Sequence, residues 1–271
     1  MRLDRLNIRC VLFLTFFSVL VLATSPFTYA SPYQLSCGRE LSYLSMGALF
    51  HIPGAVKANG SASPTLVDLE NLDKENIPAF DRPYAGQWNP DVDKLSDVFV
   101  VFSAAIPTGF VFAHRKDAGV LGLMYAETLV LATGGASLSK AVVERYRPFA
   151  YGDDAPLRDK LNKDARQSFF SAHAAGIASS LIFTAKVYSD YQPGSRYRPY
   201  IWSGAIIGAI SGSWLRVDAG RHFPSDVAAG LLWGGLVGYS IPALHHKNQT
   251  GVFLIPFVHE GERGAIIVKR F

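Results

Sequence analysis

Five long apolar segments, residues 97–113, 119–139, 171–188, 200–215 and 227–245, set the pattern of the chain. Each is 16–21 residues long, close to the ~20 that a helix needs to cross a bilayer. Several are rich in Gly, Ala and Ser, as in GAIIGAISGS and AAGLLWGGLVG, and small residues let helices approach closely. Charges are sparse within them: Glu127 interrupts the second, and Lys186 lies near an end, where its stem can carry the ammonium out to water. The pattern predicts an all-α bundle of five transmembrane helices. Residues 31–92 read differently, being rich in Pro, Asn and Asp, with an apolar patch from Leu41 to Val56 and a polar stretch from Asp68 to Arg82. They predict a loop-rich N-terminal region with one or two short helices. At the other end VFLIPFV and AIIVKRF flank EGERG, the signature of two strands and a turn. The expected organisation is an export segment over 1–30, the loop-rich region over 31–94, the helical domain over 95–246 and a β-hairpin over 247–271.

The first 30 residues join a basic start, MRLDRLNIR, to the apolar run CVLFLTFFSVLVLA and then to small residues at Thr28 and Ala30. That order is the form of a secretory signal peptide, with an uncleaved anchor as the alternative. Cleavage would leave Cys37 without an intramolecular partner, because Cys10 is the only other cysteine. A disulfide framework and a cysteine-based zinc site are thereby excluded. Across 271 residues the hydrophobic fraction is 49% and the charged fraction 18%, against ~25% charged in soluble domains. This excludes disorder. A net charge of +4 is too small for a nucleic-acid footprint.

Three polar blocks fall at ends of apolar segments. They are Lys140-AVVERY-Arg147-Pro148, Phe170-Ser171-Ala172-His173, and Arg216-VDAGR-His222-FPS-Asp226. If the segments cross alternately, all three blocks lie on one face. Lys140, Arg147 and Arg216 supply three cations for an oxyanion, with Glu144 and Asp218 close enough in sequence to claim part of that charge. Backbone N–H groups at the start of the 171 helix add donors to the same cradle. His222 and His173 offer a nucleophile and a proton donor. Asp226, one helical turn after His222, is placed to accept its other ring N–H and fix the tautomer. Phosphoryl transfer asks mainly for positioning and charge neutralisation, and this set needs neither metal nor cofactor.

These blocks resemble the type 2 phosphatidic acid phosphatase (PAP2) superfamily, which includes bacterial acid phosphatases and vanadium haloperoxidases, and whose signature is KX6RP, PSGH and SRX5HX3D. The resemblance covers roughly residues 95–245. It implies a PAP2-type helical bundle and hydrolysis of a lipid phosphate or polyprenyl diphosphate. In that scheme His222 becomes a phosphohistidine, Asp226 orients it and His173 protonates the leaving oxygen. Lys140, Arg147, Ser171, Ala172 and Arg216 hold the phosphate. Phe170, Ala172 and Leu215 depart from the family's Pro, Gly and Ser; Ala172 adds a Cβ where the backbone meets phosphate, and a positive φ there would be costly.

With residue 31 outside after signal removal, the three blocks also fall outside, facing the periplasm from the inner membrane. The short loops carrying His114-Arg115-Lys116 and Arg196/Arg198 then fall inside, as the positive-inside rule expects. The 140–170 loop breaks that rule with seven Lys/Arg, which an anionic substrate would explain. The expected partners are the phosphorylated lipid and the surrounding membrane. Two other readings remain at this point: a soluble periplasmic acid phosphatase of the same superfamily, and a catalytically silent membrane scaffold. Asp81-Arg82-Pro83 reads as a structural turn, Arg198-Pro199 as a decoy on the opposite face, and His245-His246 as a solvated pair.

Overall fold

A computed structural model describes residues 31–60, 62–247, 252–259 and 262–269. The export segment expected over 1–30 lies outside the described residues. In chain order the elements are α1 (Cys37–Gly60), α2 (Leu66–Glu70), α3 (Pro90–Ala113), α4 (Ala118–Val142), α5 (Leu157–Lys160), α6 (Ala172–Tyr191), α7 (Arg198–Asp218), α8 (Pro224–His245), β1 (Val252–His259) and β2 (Glu262–Lys269). The five expected bundle helices are α3, α4, α6, α7 and α8. β1 and β2 pair antiparallel, from Val252 opposite Lys269 to His259 opposite Glu262, as the tail pattern predicts.

Local chemistry sets the helix ends. Asn89 accepts from the Val92 N–H at 3.2 Å to start α3, with Pro90 at its first position. Ser171 caps α6 by accepting from the Ala174 N–H at 3.2 Å. Gly220 ends α7 at φ +74, where a Cβ would lie 1.8 Å from the Gln87 carbonyl oxygen, so only glycine fits this turn. The reversal throws His222 back toward the bundle.

α6 is the central helix, buried without a break from Ala174 to Leu181, and it packs against α3, α4, α7 and α8. Its approach to α8 runs through glycines one turn apart. A Cβ on Gly230, Gly234 or Gly238 would lie 2.5, 2.2 or 2.4 Å from the carbonyl oxygens of Ser171, Ala175 and Ser179. This seam brings the starts of α6 and α8 together, and with them the second and third sequence blocks.

The N-terminal region holds more helix than its composition suggests. The Leu41–Val56 patch is the middle of the 24-residue α1, about 36 Å long at 1.5 Å per residue. α1 runs parallel to α4: Gly47 faces Val130, Gly54 faces Ser137, and Lys57 pairs with Glu144. Its start lies beside the end of α8, where the Gln34 N–H donates to the His245 carbonyl at 3.0 Å and the Lys247 N–H to that of Pro32 at 2.8 Å. This corrects the sequence topology. Residue 31 was expected on the same face as the three blocks, but α1 traverses the bundle and puts it at the opposite end.

Among the described residues, three helical stretches are long and apolar enough to cross a membrane: Pro90–Ala113, Arg115–Val142 and Pro224–His245. α6 is instead small-residue and polar because most of it touches protein. The outward surface is apolar along Leu41, Leu49, Ile52 and Val56 of α1, and likewise at Val98, Val101, Ile206, Ile210, Leu232 and Leu236. Three span-length apolar helices with apolar side chains turned outward make this a membrane protein.

Candidate active site

The structure brings all three sequence blocks to one end of the bundle. Lys140 sits in the last turn of α4, Arg147 in the following loop, and Ser171 and His173 at the start of α6. Arg216 sits in the last turn of α7, and His222 and Asp226 lead into α8. A backbone bond from the Ser171 N–H to the Asp226 carbonyl, 3.1 Å, ties the two helix starts together.

His222 is 1% exposed. Its Nδ1 lies 2.7 Å from the Ser168 carbonyl oxygen, and its Nε2 lies 3.3 Å from Arg147 Nη1. A carbonyl only accepts and a guanidinium only donates. Both neighbours therefore select the tautomer with the proton on Nδ1 and the lone pair on Nε2. Burial, then the charges of Arg147, Lys140, Arg216 and His173, hold the ring well below the ordinary imidazole pKa. His222 is thus a neutral base with its lone pair turned toward cations.

The sequence reading assigned the tautomer-fixing role to Asp226, and here the geometry differs. Asp226 Oδ2 is 3.9 Å from Nδ1, too far for a hydrogen bond. That oxygen is already occupied by the Phe223 N–H at 2.9 Å and the Ser168 hydroxyl at 2.5 Å. Asp226 therefore reaches His222 through Ser168 and through the cap of α8.

The guanidinium groups of Arg147, Arg216 and Arg221 are held by carboxylates that sequence spacing did not reveal. Arg147 bonds Asp164 Oδ1 at 2.7 Å, the Asp164 carbonyl at 2.8 Å and the Arg221 carbonyl at 2.9 Å. Arg216 is 5% exposed and bonds Asp93 at 2.7 Å and Ser96 at 2.6 Å, while its Nε is buried without a partner. Arg221 chelates Asp93 at 2.6 and 2.9 Å and lies over the Trp88 and Phe149 rings. Burial opposes ionisation of Asp164, but Arg147, Lys140 and Arg221 outweigh it and hold the carboxyl below its ordinary range. His173 Nε2 lies 2.9 Å from Asp97 Oδ1. The guessed local pairings do not form: Glu144 bonds Lys57, and Arg216 turns to α3 instead of Asp218.

Arg145 is the largest omission from the sequence reading. It donates to Asp226 at 2.6 Å, to Asp81 at 2.7 Å and to Ser225 at 2.6 Å, with its guanidinium 4.2 Å above the Phe223 ring. Asp81 is fully buried and also accepts from the Ser225 N–H and hydroxyl, so the supposed turn residue is part of the site's foundation. The alternation of Arg145 with Arg147 was the available signal. Ala172 is the first residue of a right-handed helix, so the expected cost of a positive φ does not arise.

At the opposite end of the bundle, Glu40, Glu127 and His245 place metal-type donors within 4.8 Å of one another. His245 is buried, not solvated as its sequence neighbour suggested. Its Nδ1 faces the Ile241 carbonyl at 2.7 Å and its Nε2 faces Glu40 at 3.2 Å and Glu127 at 3.3 Å. With Arg39 on Glu40 at 2.9 Å, the cluster joins α1, α4 and α8.

Comparison with known proteins agrees with this end of the molecule. The PAP2 superfamily profile matches residues 121–250, which hold all three blocks. Among solved structures, the chain is similar to the first transmembrane PAP2 type phosphatidylglycerolphosphate phosphatase from Bacillus subtilis. The identity is 20%, the TM-score 0.43, and the match covers 76% of this chain and 97% of that one. The blocks, in order and at one end of a helical bundle, lie within the segment 121–250 that matches the PAP2 superfamily.

Proposed function

We propose that this PAP2-type phosphatase hydrolyses a lipid phosphate or polyprenyl diphosphate through a phosphohistidine on His222. The observation that carries the reading is the orientation of His222, whose Nδ1 is committed to Ser168 and whose Nε2 lone pair faces the cation cluster. Nε2 attacks phosphorus and forms the N–P bond as the P–O bond to the leaving group breaks. The leaving oxygen takes a proton from His173. Water then attacks the same phosphorus, gives a proton to His173, and the N–P bond breaks to release phosphate. Lys140, Arg147 and Arg216 neutralise the equatorial oxygens, with Ser171 and the Ala172 N–H at the start of α6 beside them. Asp226 positions His222 through Ser168. Phosphate release from phosphatidate, a polyprenyl diphosphate and lipid A, measured in EDTA, tests the scheme. His222→Ala should abolish turnover and labelling of the protein by ³²P; normal rates in that variant would refute it.

The catalytic end is assigned to the periplasmic side of the inner membrane. Arg115, Lys116, Arg196, Arg198 and Lys247, on the short connections and the end of the last helix, then lie in the cytoplasm. Because α1 traverses the bundle, the same orientation puts residue 31 inside. Cys37 is exposed at that end and serves as the probe in a Cys10→Ser background. A membrane-impermeant maleimide should label it only after lysis; labelling in intact cells would reverse the orientation.

A further inference from the structure

The phosphoryl-transfer scheme leaves one basic cleft unused. It lies between the last turns of α1 and α4 and the loop around 163–167, lined among others by Lys57, Ser137, Lys140, Glu144, Lys163 and Arg166. Four of these side chains are cationic, and Glu144 is the one carboxylate among the described lining residues. Glu144 is matched by Lys57 at 2.7 Å. Arg166 is held in place by Asp68 at 3.0 Å and by the Tyr146 hydroxyl at 2.7 Å, with its guanidinium 5.2 Å from that ring.

Basic residues in the last turn of a helix complement its dipole, which accounts for Lys57 and Lys140. It does not account for Lys163 and Arg166, which come from a loop and line the same cleft. Lys140 is the wall shared with the catalytic centre, since its charge also acts on His222. Through Lys140 the cleft therefore adjoins the cradle proposed for the attacked phosphate.

We propose that the cleft is a subsite for a second phosphate, and that the favoured substrates are lipid diphosphates over lipid monophosphates. This rests on the phosphatase reading above and deepens it. His222 attacks the terminal phosphorus, the bond to the bridging oxygen breaks, and the lipid monophosphate leaves with that electron pair. Its charge then develops beside Lys57, Lys140, Lys163 and Arg166.

The test uses the full chain in detergent, with Lys57→Gln, Arg166→Gln and Glu144→Gln. Turnover is measured on farnesyl diphosphate and phosphatidate, and binding of inorganic pyrophosphate and phosphate by equilibrium dialysis. The two cation variants should lose roughly tenfold or more in kcat/KM on the diphosphate and under about threefold on phosphatidate. They should also lose the tighter binding of pyrophosphate over phosphate. Glu144→Gln should shift both readouts the other way, which a folding defect would not do. Equal losses on both substrates, or no pyrophosphate preference in the wild type, would overturn the subsite. Absence of turnover on either substrate, with a pyrophosphate preference that the variants remove, would sink the phosphatase reading and leave the subsite standing.

Discussion

Arg145 bridges two carboxylates that are both fully buried, Asp81 at 2.7 Å and Asp226 at 2.6 Å. Arg145→Met keeps much of the packing over Phe223 and removes the charge. Breaking a buried pair by deleting one partner costs about 3–5 kcal/mol, because the remaining charge is stranded. The Arg145 side chain is 19% exposed, so water will reach the gap and the lower end, about 3 kcal/mol, is expected. That is on the order of a hundredfold in the folding constant. Asp81→Asn in the Arg145→Met background removes one stranded charge, while the amide oxygen it introduces still accepts from Ser225. It should recover part of the loss, with a coupling energy of about 1–3 kcal/mol. Arg145→Lys should rescue only partly, since an ammonium cannot offer a planar fork to two carboxylates. Denaturant unfolding in micelles, followed by tryptophan fluorescence, measures these values, and phosphatase rates at low temperature report whether α8 keeps its start. A loss below about 1 kcal/mol for Arg145→Met, or strict additivity with Asp81→Asn, would refute the bridge.

His222 is neutral in the folded chain and takes up a proton more readily when unfolded, so this residue's contribution is complete above about pH 6.5 and declines as pH falls below it. His222→Gln should flatten that part of the stability–pH curve, and an unchanged slope between pH 7 and 5 would contradict the burial argument. His245→Ala strands Glu127, which is fully buried with no hydrogen-bond partner, and should cost about 3–5 kcal/mol. Adding Glu127→Leu should restore most of it; a double variant as unstable as the single one would point to packing instead of charge. Gly234→Val places side-chain carbon against the Ala175 carbonyl oxygen, where even a Cβ would lie at 2.2 Å, and should separate α6 from α8. Turnover should fall together with thermal stability, and wild-type activity at full stability would mean that the seam does not set the site.

The legible part of this protein is what periodicity and spacing encode locally. Apolar runs fixed α3, α4, α6, α7 and α8, and the block spacings placed Lys140, Arg147, Ser171, His173, Arg216, His222 and Asp226 at one end. α1 was not legible as a long helix because Arg39, Glu40, His51 and Pro53 interrupt its apolar stripe. Those polar positions make sense only once Glu40 meets His245 across the bundle. Asp81, Asp93, Asp97 and Asp164 were invisible for a related reason. Each pairs with a residue 17 to 144 positions away, and no local pattern reports such a partner. The tautomer of His222 was likewise beyond reach, since the Ser168 carbonyl that sets it is a backbone atom.

The distribution of those carboxylates also bears on how an anion enters. Asp93 holds Arg216 and Arg221 from the first turn of a capped helix, and its side chain is 16% exposed. Asp164 holds Arg147 from a loop, is 48% exposed, and lies 3.9 Å from Arg221. Both keep buried guanidinium groups from facing one another unscreened. Their fates on binding differ. A phosphate taking the outward donors of Arg147 competes directly with the Asp164 side chain. The Arg147 bonds to the Asp164 and Arg221 carbonyls do not depend on that carboxylate, so the guanidinium stays aimed at His222. Asp93 is not in that position, because its bonds fix Arg216 against Ser96 on the helix side. The site therefore holds one carboxylate that builds the cradle and another that occupies it. In the proposed scheme an anion would gain affinity only to the extent that it binds Arg147 and Lys140 better than a single aspartate does, a condition that a dianionic phosphate would meet through its second charge.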